Sequence, residues 1–176
     1  RVLKDSGSMY VFSGYNNMRD VLNALHDVGF HLIGNPIWQY PFGVYAKNNF
    51  VVSHYNCFYV CKNPKKRKFN SDCRFSNSKE RYHDLIDVWD IKREYWHGKI
   101  KTPTKLPYAL VDKLISYSST EGDIILDPFV GSGQVLKVAQ DKKRHYIGYE
   151  IVKPYYDFAL TRLKTTLQTS CKGNKK

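Results

Sequence analysis

Residues 125–134, ILDPFVGSGQ, run from the end of an apolar strand through Asp127 and Pro128 into a Gly131-Ser132-Gly133 turn, and then into VLKVAQ at helical spacing. A strand, a glycine turn and a helix in immediate succession are the unit of a doubly wound α/β sheet. There, ligands bind beyond the carboxyl ends of the strands and glycine lets the backbone approach them. A dinucleotide fingerprint would need a third glycine where this chain has Leu136, and a phosphate loop would need Gly-Lys-Ser/Thr, which is absent. Phosphate cradling is the weaker reading. The next strand, HYIGYE, ends on Glu150, 17 residues beyond Gly133, where a carboxylate can accept hydrogen bonds from both hydroxyls of a ribose. The pair of features suits a ligand with a ribose and no essential pyrophosphate, and S-adenosylmethionine meets that description. The bland alternative is that Asp127 merely caps its turn and Glu150 is solvated at a strand end.

Working outward, the regular pattern continues on both sides. Ser8 to Phe12 reads as a strand after an Asp-Ser-Gly turn, and Met18, Val21, Leu22 and Leu25 share a helical face, with Asn16 or Asn17 as cap and Gly29 as stop. FHLIGNPIW and FVVSHYNCFYVCK follow as two strands of a hairpin. Leu110, Val111, Leu114 and Ile115 mark a helix, GDIILD a buried strand, GQVLKVAQDKK a helix, HYIGYE a strand, and Pro154 to about Leu167 a last amphipathic helix. Alternating strands and helices predict a doubly wound α/β sheet with an antiparallel hairpin at one edge. The opening RVLKDSGSMYVF reads as a helix end feeding a strand, so the chain is expected to begin mid-fold. Residues 171–176 read as a frayed tail.

A chain of 176 residues with 42% hydrophobic and 15% aromatic content can bury one real core. No apolar run approaches the roughly 18 residues that span a bilayer, and no secretory leader opens the chain; the expectation is a soluble protein of the cytoplasm or nucleoid. The net charge of +12 favours polyanions, and its distribution sharpens the point. Between Lys62 and Lys105 stand thirteen Lys or Arg against six Asp or Glu, so more than half of the excess lies in a quarter of the chain. Cys57, Cys61, Cys73 and Cys171 do not form a secreted disulfide framework. His54 and His83 could be drawn with them as a zinc site. However, His54 lies an odd number of residues from Cys57 and Cys61 and so points to the other strand face, and no metal is expected.

These residues resemble the amino DNA methyltransferases that modify adenine N6 or cytosine N4, in the permuted order called the beta group. LDPFVGSGQ resembles the family's cofactor loop, RHYIGYEIVKPYYDFALTRL the segment with the ribose-binding acid, and TPTKLPYALVDKLI the motif that contacts the cofactor's methionine end. The resemblance is strongest from Thr102 to Leu163 and implies a Rossmann-like methyltransferase sheet. Its methyltransferase domain would comprise residues 1–61 and 102–170, with residues 62–101 as a basic target-recognition insert. It implies S-adenosylmethionine as cofactor, held by Thr104, Asp127, Phe129, Gly131, Ser132, Gly133 and Glu150, and double-stranded DNA as partner. The reaction implied is methyl transfer to an exocyclic amine of a flipped base, adenine N6 ahead of cytosine N4, in a restriction-modification setting.

The sequence departs from that family in ways that carry consequences. The catalytic tetrapeptide, Asp-Pro-Pro-Tyr or Ser-Pro-Pro-Tyr/Trp, is expected upstream of Arg1, and without its central strand the sheet would have a gap and bare edges. A second polypeptide could supply that strand, a homodimer is open to the chain, and an inactive nucleic-acid-binding subunit that assists a partner is the competing reading. Within the chain, NPIW offers Asn35 and Trp38 as a degraded version of the motif, although the stretch also fits a structural strand. Gln134 stands where Thr is usual, Leu106 replaces the common Lys, and Tyr55 replaces the frequent Glu. In the insert, Lys65, Lys66, Arg67 and Lys68 would neutralise phosphates, and Arg67, Arg74, Arg81 and Asn70 are types able to read base edges. A flexible solvated loop is the plain alternative. Trp89 and Trp96 are expected to fold back on the sheet.

Overall fold

The computed structural model describes residues 2–95 and 105–170. Two compact units divide the chain: Arg1–Lys92 with Ser116–Ser119, and Arg93–Ile115 with Thr120–Lys176.

The first unit is built on one mainly antiparallel sheet whose hub is β4, His54–Cys61. HYNCFYVC carries apolar residues on both faces, as a strand covered on both sides requires, and it is buried from Asn56 to Cys61. On one side β1, Ser8–Ser13, pairs with it in antiparallel register from Ser8 opposite Cys61 to Ser13 opposite Asn56. On the other, β2 (His31–Gly34) and β3 (Ile37–Gln39) pair with it in turn. The single strand expected over FHLIGNPIW is therefore two. The register shifts between Leu32 and Gly34, and Pro36, which has no N–H to give, instead accepts Cys57 N–H at its carbonyl. The following strand begins at His54 rather than Phe50, and Phe50 is 94% exposed. Helix α1, Met18–Asp27, has the expected position, but Asn17 at its N-cap makes no side-chain capping bond. Gly29, at φ +82°, ends it.

The basic stretch is more structured than its lack of periodicity suggests. Helix α2, Ser78–Leu85, is capped by the Asn77 side chain, which accepts from the Lys79 and Glu80 N–H groups. Strand β5, Val88–Asp90, adds to β3 in parallel, with Trp89 opposite Trp38. Trp89 is buried as expected; Trp96 lies outside the described residues.

The second unit is a strand-helix-strand crossover flanked by helices. Strand β6 (Ile124–Asp127) leads into α4 (Gln134–Asp141) and back to β7 (His145–Gly148), parallel to β6 with Asp127 beside Gly148. Helix α3, Tyr108–Ser118, part of this unit as far as Ile115, precedes it and α5, Lys153–Ser170, follows. Val111 and Ile115 of α3 pack with Val138 and Ala139 of α4 against Ile125 and Tyr146. A second cluster joins Val130 and Leu136 to Ala159 and Leu163 of α5. The opposite face of the strand pair, Ile124, Leu126 and Ile147, is exposed. The α/β class expected from the alternation is present. Among the described residues, though, the strands form two sheets instead of one, and β6 is bonded to β7 alone.

Candidate cofactor-binding site

The parallel register brings the ends of β6 and β7 side by side, and the chain beyond each is stitched to the other. Tyr149 N–H donates to the Asp127 carbonyl at 3.1 Å and Val130 N–H to the Tyr149 carbonyl at 3.0 Å. The turn after β6 is held close by glycine. Gly131 and Gly133 have φ of +51° and +78°, and a Cβ on Gly148 would lie 2.4 Å from Val130 and 2.7 Å from Leu136. At Gly133 it would meet the Ala159 side chain at 2.9 Å, so α5 packs directly against the loop.

Glu150, just past β7, accepts Gly131 N–H at 2.7 Å on one carboxylate oxygen and Val152 N–H at 2.8 Å on the other. Asp127 accepts Phe129 N–H at 3.0 Å, closing the turn. Burial raises the Asp127 carboxyl above its ordinary range; the Phe129 bond opposes this and the Glu150 charge adds to it. Two carboxylates thus converge at the strand ends, beside a loop whose Phe129 ring is 86% exposed. The N–H groups of Phe129, Val130, Gly131 and Gly133 are all donated within the protein. A phosphate cradle needs such groups pointing at its ligand. Acceptors for hydroxyls with an exposed ring beside them suit a nucleoside better, so the residues fit the adenosyl moiety expected for them.

The remaining expected cofactor residues sort differently. Ser132 is buried at 4%, and its carbonyl accepts from Arg162. Thr104 lies outside the described residues. Three groups near the loop were not legible as site residues: Arg162, the buried Gln134 and Glu94. Arg162 donates to Gln134 Oε1 at 2.7 Å, and Gln134 Nε2 donates to Glu94 at 3.4 Å. The only sequence signal was Gln134 in place of Thr.

The NPIW residues are not arranged to receive a base. Trp38 is fully buried, donates its indole N–H to the Ile91 carbonyl at 2.7 Å and stacks on Tyr55. Asn35 donates its amide to Asn56 at 3.0 Å. Ile37 to Gln39 form β3, and a ring wholly buried and stacked on Tyr55 exposes no face to a ligand. Among the described residues no three His, Cys, Asp or Glu side chains are grouped to hold a metal.

In the basic insert, Lys65 and Lys66 are exposed, and Lys66 forms an exposed ion pair with Asp5. Lys68 is half-buried, its N–H donated to the Ser6 carbonyl. The arginines expected to read base edges are engaged inside the protein. Arg67 donates to the Tyr59 hydroxyl and lies over the Tyr59 and Phe69 rings. Arg74 pairs with Asp84 at 2.9 Å, and Arg81 donates to the carbonyls of Phe75 and Ser76. Asn70 donates its amide to the Ser116 and Ser119 carbonyls.

Comparison with known proteins agrees with this geometry. The model of the N6/N4 family described as DNA methylase matches residues 1–161. The type II methyltransferase M.HpaI of Haemophilus parainfluenzae is 33% identical over 174 residues, 93% of this chain and 55% of that protein. M2.DpnII of Streptococcus pneumoniae is 33% identical over 175 residues, 96% of this chain and 65% of that protein. The chain therefore spans between half and two thirds of the length of these relatives. The crystal structure of the M1.HpyAVI–SAM complex shares the fold with a TM-score of 0.74 at 28% identity, covering 91% of this chain and 76% of that one. With most of its length matched by the family model and its loop and acid placed at paired strand ends, the chain belongs to the N6/N4 DNA methylase family.

Proposed function

We propose that this chain binds S-adenosylmethionine and DNA as part of an enzyme that methylates an exocyclic amine of a DNA base. One observation carries the reading: Glu150, fixed by main-chain donors beside Asp127, sits at the mouth of a glycine loop whose N–H groups are mostly spent internally. Glu150 would accept the ribose hydroxyls, using the acceptor capacity left on each oxygen. Phe129 would cover the adenine ring, and Gly131 and Gly133 keep the backbone close without a side chain in the way. When bound, the cofactor supplies an activated methyl group on a sulfonium, so no protein nucleophile is required. The chain's own work is to orient that donor and keep the loop rigid around it.

The groups that present the acceptor amine are proposed to come from outside these 176 residues, because Trp38 is wholly buried and Asn35 is paired with Asn56. The duplex would lie against the basic insert, with Lys65 and Lys66 neutralising phosphates. Titration calorimetry with S-adenosylmethionine tests the core of the reading. Wild type should bind, and Glu150→Ala should weaken binding by at least about tenfold, the effect of losing a charge-assisted hydrogen-bonding group. Equal binding by the two proteins, or none by either, would sink it. For the complete enzyme, mass analysis of nucleosides from methylated DNA distinguishes adenine N6 from cytosine N4.

A further inference from the structure

Arg162 projects from α5 one turn beyond Ala159, the residue pressed against Gly133. Its guanidinium spans two acceptors of the loop region: Nη1 donates to the Ser132 carbonyl at 2.5 Å and Nη2 to Gln134 Oε1 at 2.7 Å. Gln134, buried at 4%, passes the connection on by donating Nε2 to Glu94. Glu94 in turn accepts Tyr108 N–H at 2.7 Å, at the start of α3, and pairs with Lys105 at 2.6 Å. The chain of contacts runs from α5 through the glycine loop to the segment entering α3, all within one compact unit. Burial pulls the Arg162 guanidinium below its ordinary value while Glu94 and Asp141 draw it back up; the group is still a cation at any pH the protein meets.

A glutamine suits the middle of this chain, because its amide accepts from a cation on one side and donates to an anion on the other. Threonine's single hydroxyl lacks the reach to bridge an arginine on one helix and a glutamate before another. Glu150 holds the loop from the ribose side at Gly131, whereas Arg162 grips its next carbonyl, at Ser132. The loop is therefore fixed at two adjacent residues by opposite charges.

We propose that Arg162, Gln134 and Glu94 are positioning residues that set the glycine loop and the segment entering α3 in one register for the amino-acid end of the cofactor. This rests on the reading of the loop as an S-adenosylmethionine site. It assigns the ribose to Glu150 and the methionine end to a network that does not itself touch the ligand.

The test compares two ligands by calorimetry on the full chain: S-adenosylmethionine, and 5′-deoxy-5′-methylthioadenosine, which keeps the adenosyl group and sulfur but lacks the amino-acid end. Arg162→Ala should weaken S-adenosylmethionine about tenfold and methylthioadenosine less than about twofold, with Arg162→Lys recovering part of the loss because it restores one donor of the fork. Gln134→Met keeps the buried volume while removing both bonds. It should reproduce the selective loss, which keeps the proposal open to refutation if Arg162→Ala does not fold. Glu150→Ala should weaken both ligands. Parallel losses for the two ligands in Arg162→Ala and Gln134→Met, or no loss in either, would overturn the positioning role. If Glu150→Ala leaves both affinities unchanged, the reading of the site fails and takes the proposal with it.

Discussion

A methyl group at position 133 would have to sit 2.9 Å from the Ala159 side chain on a backbone with φ of +78°. Gly133→Ala therefore meets a steric and a conformational penalty together, and the expected loss is about 1–3 kcal/mol of unfolding free energy, measured by urea denaturation. Asp127 makes the opposite kind of prediction. Its folded carboxyl is raised above the ordinary 3.8, chiefly by burial, so between those two values the native state holds more protons than the unfolded chain. Stability falls as pH rises through that window. Asp127→Asn keeps an oxygen for the Phe129 N–H but carries no charge to bury. It should be as stable as wild type or more so at neutral pH, and the difference should vanish below the ordinary carboxylate range, a comparison made by thermal unfolding across pH. The same residues show how much of the site could be read from the chain alone. Asp127, the glycines and Glu150 were legible because each is a local solution to a strand-end turn. Arg162 was not, since its reach to Ser132 exists only once Ala159 has seated α5 against the loop.

Elements with their own periodicity were equally legible. Helices α3 and α4 and strands β6 and β7 fall where apolar spacing puts them, and their packing on Ile125 and Tyr146 follows from the faces they present. Short elements were not: β5 has three residues, too few for any period, and forms because β3 offers it an edge. The structure of the basic insert was hard to read for a related reason. Its composition is that of a solvated loop, yet Asn70 donates to the Ser119 and Ser116 carbonyls at 2.9 and 3.3 Å, and Arg67 lies over the Tyr59 and Phe69 rings. Asn70 thus caps the Ser116–Ser119 turn, which belongs to the same compact unit. Asn70→Ala should cost about 1–2 kcal/mol, two ordinary hydrogen bonds, and a urea midpoint unchanged by the substitution would refute the capping role.

For the molecule as a whole the decisive quantity is the excess of positive charge, +12, concentrated around the insert. With Arg67, Arg74 and Arg81 engaged within the protein, the proposed displacement of counterions from DNA falls to exposed lysines such as Lys65 and Lys66. Replacing Lys65 and Lys66 by Gln should weaken binding to all duplex sequences alike, and should flatten the plot of log K against log salt by about 0.9 per lost phosphate contact, hence by nearly 2. A change confined to one DNA sequence would show instead that these lysines read bases. No helix among the described residues is long and apolar enough to cross a membrane.

The double anchoring of Glu150 by Gly131 and Val152 has a kinetic consequence. A carboxylate already locked by two main-chain donors loses almost no rotamer freedom when a ligand arrives, so association need not wait for the side chain to order. Stopped-flow mixing with S-adenosylmethionine should give single-exponential binding whose rate rises in proportion to ligand concentration without a plateau. A saturating rate would mean that a slow rearrangement precedes or follows encounter, and that the acid is mobile before the ligand captures it.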